Sequence, residues 1–402
     1  MALNFKKDKK PLGIYIHIPF CKSKCEYCDF PSIVPTGTPI IEHYVDALIL
    51  QMEDWSDKCR GYEIDSVYFG GGTPTYLDAK HLCRILNALY DNFHVVRGAE
   101  ISIECNPATA DFKTLKKLRH AGVNRISIGL QSAQDNELKA LGRIHNYHGF
   151  ENTFSDARRA GFENINVDLM YGIPEQTEKS LASTLSTVTA LGPDHISLYA
   201  LKIEDGTPFA DRRDDLNLPD DDTVYNMYVK AVKYLKDKGY DRYEISNFAK
   251  SGAACLHNLK YWHCDEYLGL GASAHSYFGG ERFATTRAIK AFIDGLEIIN
   301  NDIKVIVDSK KITSHECMEE YVMLGMRLEE GIHVQDFEKR FGISFAEKYG
   351  HLLDEYIDDG FVVKNGDFYH FTTDGMFVSN YILSNVLDLS NEADEEAGET
   401  EN

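Results

Sequence analysis

Cys21, Cys25 and Cys28 form the run Cys21-Lys-Ser-Lys-Cys25-Glu-Tyr-Cys28, spaced CxxxCxxC. Three thiolates that close on one loop can each grip one iron of a cubane [4Fe–4S] cluster. Cluster iron prefers soft sulfur, and a cubane ordinarily takes four such ligands. A loop that offers three leaves the fourth iron open to a small molecule. That marks a reacting cluster rather than a plain electron carrier. The competing readings are three unlinked thiols or part of a zinc site. Zinc usually takes four tight ligands, often as two CxxC pairs, and no second pair exists here.

The elements that position this loop follow from short apolar runs alternating with helical stretches. Strands are expected at Ile14–Ile18, Ser66–Phe69, Glu100–Glu104, Arg125–Gly129, Asn164–Leu169 and His195–Tyr199. Helices are expected near Glu42–Trp55, Ala79–Asp91, Asp111–Ala121, Tyr147–Ala160 and Glu178–Leu191. Strands alternating with helices of this length imply parallel βαβ units. Six strands predict an α/β fold with a partial (βα)6 barrel.

The unusual residues fall where such a fold does its chemistry. The cysteine loop follows the first strand and Gly70-Gly71-Gly72-Thr73-Pro74 the second. Glu104-Cys105-Asn106-Pro107 ends the third, and Gly129-Leu130-Gln131-Ser132 the fourth. Asp168 lies near the end of the fifth, before Tyr171-Gly172-Ile173-Pro174, and Tyr199-Ala200 ends the sixth. Any one of these reads most simply as a satisfied turn. Together they occupy the carboxyl ends of parallel strands, the active face of βα folds.

Composition narrows the function class. Of 402 residues, 42 are Lys or Arg and 63 are Asp or Glu, giving a formal charge of −21. Such an acidic chain is a poor partner for a phosphate backbone, so no nucleic-acid partner is expected. The nine cysteines are 21, 25, 28, 59, 83, 105, 255, 264 and 317, an odd count in a long chain, which argues against a disulfide framework. The N-terminal MALNFKKDKKP is basic without the apolar stretch of a signal peptide. No apolar run is long enough to span a bilayer, so the expected location is cytoplasmic.

Four regions are expected. Residues 1–250 form the barrel, carried on by a helix at Asp221–Gly239 and by Tyr243-Glu244-Ile245-Ser246-Asn247. Residues 251–310 read as a loop-rich connection. Residues 311–387 form a smaller domain with helices at Glu316–Leu328, Val334–Phe341 and Phe345–Asp358. Phe361-Val362-Val363 and Phe368-Tyr369-His370-Phe371 then suggest a hairpin. This pattern suits a winged-helix-like module or a helical cap. Residues 388–402 carry seven acidic and no basic residues and read as a disordered, solvating tail.

Longer motifs now add a resemblance. Tyr15-Ile-His-Ile-Pro-Phe-Cys21, Tyr27-Cys28-Asp29-Phe30, GGGTP at 70–74, GLQS at 129–132, LGRIH at 141–145 and NVDLMYGIPEQT at 166–177 resemble the HemN/HemW family of radical S-adenosylmethionine (SAM) proteins. This is the group named for oxygen-independent coproporphyrinogen III oxidase. The likeness runs from about Tyr15 to Leu387. It implies a [4Fe–4S] cluster on Cys21, Cys25 and Cys28, with the amino and carboxylate groups of SAM on the open iron. Electron transfer into the sulfonium then releases a radical that abstracts hydrogen, while the protein supplies binding, orientation and water exclusion. By motif match, SAM contacts fall on Tyr15, Tyr27, Gly71, Gly72, Thr73, Glu104, Gln131, Arg143 and Asp168, with Ala200 a softer match.

Two departures point within the family. The oxidase carries a further cysteine two positions after the third, where this chain has Phe30, and it has a longer segment before its tyrosine. Both features resemble the HemW branch, which implies a haem chaperone. That branch carries an HNxxY element, matched by His257-Asn258-Leu259-Lys260-Tyr261-Trp262. His257 is then expected as an axial haem ligand with Tyr261 beside it, and the competing reading is an ordinary hydrogen-bonded loop histidine. Cys255 and Cys264 flank the element as further ligands or as buried structural thiols. The expected cofactors are the cluster, SAM and haem. The expected partners are haem-accepting proteins and an electron donor, and a homodimer stays open. The alternatives are oxidative decarboxylation of coproporphyrinogen III, and radical chemistry on haem itself such as ring opening.

Overall fold

Strands β1 to β6 alternate buried apolar and buried polar residues, and that alternation builds the first unit. They are β1 (Lys10–Ile18), β2 (Tyr62–Gly71), β3 (Val95–Cys105), β4 (Arg125–Gln131), β5 (Asn164–Tyr171) and β6 (His195–Ala200). All six pair in parallel, each with its sequence neighbour. Between them run α1 (Thr38–Ser56), α2 (Ala79–Asn92), α3 (Phe112–His120), α4 (Asp135–Ala140), α5 (Tyr147–Ala160) and α6 (Glu178–Leu191). The apolar face carries Ile14, Ile16, Val67, Phe69, Ile101, Ile103, Ile126, Ile128, Ile165 and Val167, all buried. The other face carries Ser66, Ser102, Arg125, Ser127, Asn166, His195 and Ser197, also buried but polar. A parallel sheet covered on both faces usually reads as unbroken apolar strands. Here one face is polar, as suits the lining of a partial (βα)6 barrel that encloses a site.

The structure, a computed structural model, describes residues 9–107, 109–297 and 305–388. Residues 1–8 and the acidic tail from 389 onward lie outside them. The chain divides into two units: residues 1–242, 246–260 and 265–311, and residues 243–245, 261–264 and 312–402.

The stretch 251–310 is more ordered than its loop-rich texture suggests. After α7 (Pro208–Asp211), α8 (Asp221–Asp237), β7 (Asp241–Glu244) and β8 (Asn247–Ala249) come α9 (Leu256–Trp262), β9 (Tyr267–Leu270), β10 (His275–Phe278), β11 (Glu281–Thr285), α10 (Ile289–Glu297) and β12 (Ile306–Lys311). β9 pairs in parallel with β1, and β8 runs antiparallel to β6, so the sheet grows at both edges to twelve strands. β9 to β11 are each four or five residues long and are broken by Gly271 and Gly279-Gly280. Alternation over so few positions is barely visible in sequence. Tyr243–Ile245, expected with the barrel, belongs to the second unit.

The second unit contains α11 (Ser314–Gly325), β13 (Ile332–His333), α12 (Val334–Phe341), α13 (His351–Asp358), β14 (Val362–Asn365), β15 (Phe368–Phe371), α14 (Thr373–Phe377) and α15 (Ser379–Val386). The three strands form an antiparallel sheet in the order β13-β15-β14. Its core is aromatic: Phe337, Phe345, Tyr349 and Tyr369 are buried in mutual ring contact. Helices followed by this hairpin match the winged-helix-like expectation. No helix among the described residues is long and apolar enough to cross a membrane.

Candidate functional site

The cysteine loop leaves β1 and is tied to three other strand ends. Cys21 N–H donates to the Ile33 carbonyl at 2.9 Å, closing the loop on itself. His17 Nε2 donates to the Pro31 carbonyl at 2.9 Å. Its Nδ1 therefore accepts from the Tyr15 hydroxyl at 3.0 Å, which fixes the tautomer. Cys21 Sγ lies 3.5 Å from Thr73 Oγ1 at the end of β2. Arg143 Nη1 donates to Cys25 Sγ at 3.3 Å. The Arg143 Nη2 donates to the Gly129 carbonyl at 2.7 Å and to Asn106 Oδ1 at 3.1 Å, joining the ends of β4 and β3. Arg143 Nε is buried without a hydrogen-bond partner.

All nine cysteines are free thiols. Burial, and then the neighbouring Cys25 and Cys21, push the Cys28 thiol up to about 11. Three thiols this close are costly to ionise unless a positive group joins them. Among the described residues no set of three or more His, Cys, Asp or Glu side chains suits a single metal ion. A cubane asks for something else, one thiolate on each of three separate irons. The donor set and its anchored loop fit a [4Fe–4S] cluster.

The residues expected around SAM line the same strand ends. Gly71 sits at φ +111°, and a Cβ there would meet the His17 ring at 2.5 Å. A Cβ on Gly72 would meet the Phe20 carbonyl oxygen at 2.8 Å. Both glycines thus keep backbone where no side chain fits. Glu104 accepts from Tyr68 Oη at 3.0 Å. Burial first, and then Asp168, push its carboxyl up to about 8. Tyr68 stacks on Tyr15 with ring centroids 6.4 Å apart. Asp168 accepts from Ser127 Oγ at 2.8 Å and Asn166 Nδ2 at 2.7 Å. Asn166 also reaches Ser197 at 3.0 Å and His195 at 2.6 Å, so the polar face orients Asp168 through a chain of side chains. Gln131 holds φ +74°, a left-handed conformation uncommon for glutamine and typical of strained functional positions. Tyr27 packs against Leu141, Met170, Ile173 and Phe209. Ala200 is exposed at the end of β6.

The expected haem element lies on α9. His257 is fully buried. Its Nδ1 lies 3.1 Å from Ser66 Oγ, its ring stacks on Tyr68 at 5.5 Å, and its backbone N–H donates to Glu100. Burial, and then Lys260 and Arg125, lower its pKa to about 3. Lys260, a local positive charge, is spent on Asp65 at 2.7 Å. Tyr261 belongs to the second unit while His257 belongs to the first. α9 therefore holds His257 against the polar interior of the first unit. Cys255 is buried against Glu100 at 3.3 Å, a structural thiol.

Sequence patterns missed His17, Tyr68, Ser127, Asn166 and His195. Their only signal was polarity on the face of a strand that should be apolar on both sides.

The fold and site can now be compared with known proteins. Residues 15–188 match the radical SAM superfamily, and residues 312–378 match the HemN C-terminal domain. A protein of Lactococcus lactis subsp. lactis named heme chaperone HemW is 33% identical over 382 residues, covering 94% of this chain and 98% of its own. The chain belongs to the HemW family of radical SAM proteins. The HemW of Escherichia coli strain K12 is 32% identical over 382 residues, again covering 94% of this chain and 98% of its own. Among solved structures, the coproporphyrinogen III oxidase HemN of Escherichia coli, described as a radical SAM enzyme, superposes with a TM-score of 0.83 at 25% identity. That match covers 95% of this chain and 91% of HemN. This chain thus shares its fold with the oxidase along most of its length, and membership in a radical SAM family implies a [4Fe–4S] cluster and SAM.

Proposed function

We propose that this chain is a haem chaperone that holds a [4Fe–4S] cluster on Cys21, Cys25 and Cys28, binds SAM at the barrel mouth and passes haem to acceptor proteins. The observation that carries the reading is the match along both units to relatives named heme chaperones. The second support is Phe30, 60% exposed, where the resemblance places a cysteine in the oxidase.

When bound, the cluster supplies one-electron chemistry at an open iron. The chain's own residues do the rest. Thr73, Arg143 and His17 hold the loop that carries the thiols. Gly71 and Gly72 let backbone amides approach a ligand closely. Glu104 faces the ligand's cationic groups, and its raised pKa reflects a carboxyl partly withdrawn from water beside Asp168, which a bound cation would lower again. Ser127 and Asn166 aim Asp168. Gln131, Arg143, Tyr15, Tyr27 and Ala200 complete the rim. The reading requires an electron donor and haem-accepting proteins as partners, a cytoplasmic location, and a size measurement for the homodimer.

The test is a paired assay on anaerobically reconstituted protein. Hemin should bind, and coproporphyrinogen III with SAM and reductant should yield no protoporphyrinogen. Turnover without hemin binding would replace this reading with the oxidase. The HemN likeness favours that second reading and supplies its assay.

A further inference from the structure

Gln131, one of the residues expected at SAM, holds its left-handed backbone beside a break in the β4–β5 ladder, which shifts register between Gly129 and Gln131. A bulge of this kind re-aims a side chain at a strand end. A Cβ on Gly129 would meet Gln131 Nε2 at 3.1 Å and Arg143 Nη2 at 3.3 Å, so both side chains lie over that glycine. A strained backbone persists only where its surroundings over-determine it. We propose that Glu137, fully buried in α4, is a positioning residue that fixes Gln131 and Arg143 and so sets the affinity for SAM. The proposal rests on the reading of SAM at the barrel mouth and adds the residue that keeps that mouth in shape.

Three ties meet at Glu137. Ser132, next to Gln131, donates from Oγ to Glu137 Oε2 at 2.5 Å and accepts from the Gln134 N–H at 2.9 Å. Gln176 Nε2 donates to the same Oε2 at 3.3 Å and to the Met170 carbonyl at 3.2 Å, near the strand end that carries Asp168. The third tie is backbone. The Glu137 carbonyl accepts from the Leu141 N–H at 3.0 Å, and the Leu141 carbonyl accepts from the Glu26 N–H of the cysteine loop at 3.3 Å. The Arg143 N–H donates to the Leu138 carbonyl at 2.9 Å, so the end of α4 also carries the guanidinium that reaches Cys25.

A carboxyl is an unusual choice for this place. Ser132, Glu137 and Thr184 are fully buried and Gln176 nearly so. An apolar side chain would fill the same space without needing donors, and a buried polar network adds little stability over such a filling. What it adds is direction, because hydrogen bonds shielded from water hold their partners at defined angles and are costly to leave unmade. Glu137 Oε1 has no hydrogen-bond partner among the described residues. Oε2 alone carries the network, so an amide at this position keeps both bonds and breaks none.

The two residues flanking Gln131 are held separately. His145 Nε2 donates to the Leu130 carbonyl at 3.3 Å, before the left-handed residue. Ser132 is held after it, by Glu137, while Thr184 Oγ1 accepts from the Ala133 N–H at 3.2 Å. His145 fixes where the strand stops, and Glu137 fixes the direction in which Gln131 leaves it. The GLQS and LGRIH motifs therefore meet through one buried side chain that neither of them contains.

The experiment is a calorimetric titration of the full-length reconstituted chain with SAM, paired with the electron paramagnetic resonance spectrum of the reduced cluster at saturating SAM. Glu137→Ala and Ser132→Ala should each weaken SAM binding about tenfold and alter that spectrum, with iron content at the wild-type level. Ser132→Ala removes a single hydroxyl and carries the test if Glu137→Ala does not fold. Glu137→Gln should hold SAM within about twofold of wild type and keep the wild-type spectrum, because both bonds to Oε2 survive. Leu118→Ala, a core change in α3 that shares no bond with this network, should lower Tm and leave SAM affinity and spectrum unchanged. Wild-type affinity in both alanine variants would overturn the positioning role. So would a loss in Glu137→Gln as large as in Glu137→Ala, or an equal loss in Leu118→Ala. No SAM binding by the wild-type chain would overturn the reading of the barrel mouth and this proposal with it.

Discussion

Glu104 is half-buried and His257 fully buried, and their pKa values move in opposite directions for one cause. Removal from water penalises the charged form, so the carboxyl rises and the imidazole falls. For Glu104 the pKa climbs from 4.5 to about 8. The unfolded chain ionises first, so this group lowers the stability of ligand-free protein as pH rises from 4.5 to about 8. The penalty grows by ~1.4 kcal/mol per pH unit at most. Glu104→Gln should therefore stabilise ligand-free protein at pH 8 relative to wild type, with little gain at pH 5, while weakening SAM binding. An equal shift in Tm at both pH values would remove Glu104 as the titrating group. His257 falls from 6.5 to about 3. The unfolded chain then takes up the proton first, so stability conferred by the neutral ring is complete above pH 6.5 and is lost as pH falls toward 3. His257→Ala should cost about 2–4 kcal/mol at pH 7 by opening a cavity between Ser66 and Tyr68. The cost should shrink at pH 5. Denaturant unfolding checks this, and a Soret change with unchanged stability would return His257 to the role of haem ligand.

At the scale of elements, strand ends carry the site and strand length decided what could be read. β1 to β6 are long enough for alternation to show, and the helices Tyr147–Ala160 and Glu178–Leu191 fall where their apolar spacing puts them. The loops after β1 to β5 were legible because glycine, cysteine and carboxylate are unusual at strand ends. What pairs those residues was not legible. Asn166 meeting Ser127 and His195 depends on register between neighbouring strands, which one sequence does not encode locally. α9 was read as loop because its seven residues follow a turn-rich stretch, and its burial comes from tertiary placement. Gly71 at the end of β2 gives a sharp test. Gly71→Val forces a left-handed φ and a Cβ against His17, which also holds the cysteine loop. SAM affinity should fall at least tenfold, and the yield of reconstituted cluster should fall with it. Unchanged SAM affinity would move the binding face away from β2.

At the scale of the molecule, the cysteine loop, the strand ends expected to bind SAM and His257 belong to one unit. None of Cys21, Cys25 and Cys28 belongs to the second unit, whose residues 312–378 match the HemN C-terminal domain. The cores differ in kind, one of aliphatic strand residues and one of aromatic rings in tilted and edge contact. Loss of the cluster should leave haem binding intact, since the His257–Trp262 element contains no cluster cysteine. A chain with all three cysteines changed to alanine should hold almost no iron after reconstitution, against about four irons in wild type. It should still bind hemin with the wild-type Soret band. Iron analysis and hemin titration on the same preparation check both halves. If hemin binding disappears together with the cluster, haem is held by the cysteine loop or depends on it. A haem site independent of the cluster would then be wrong.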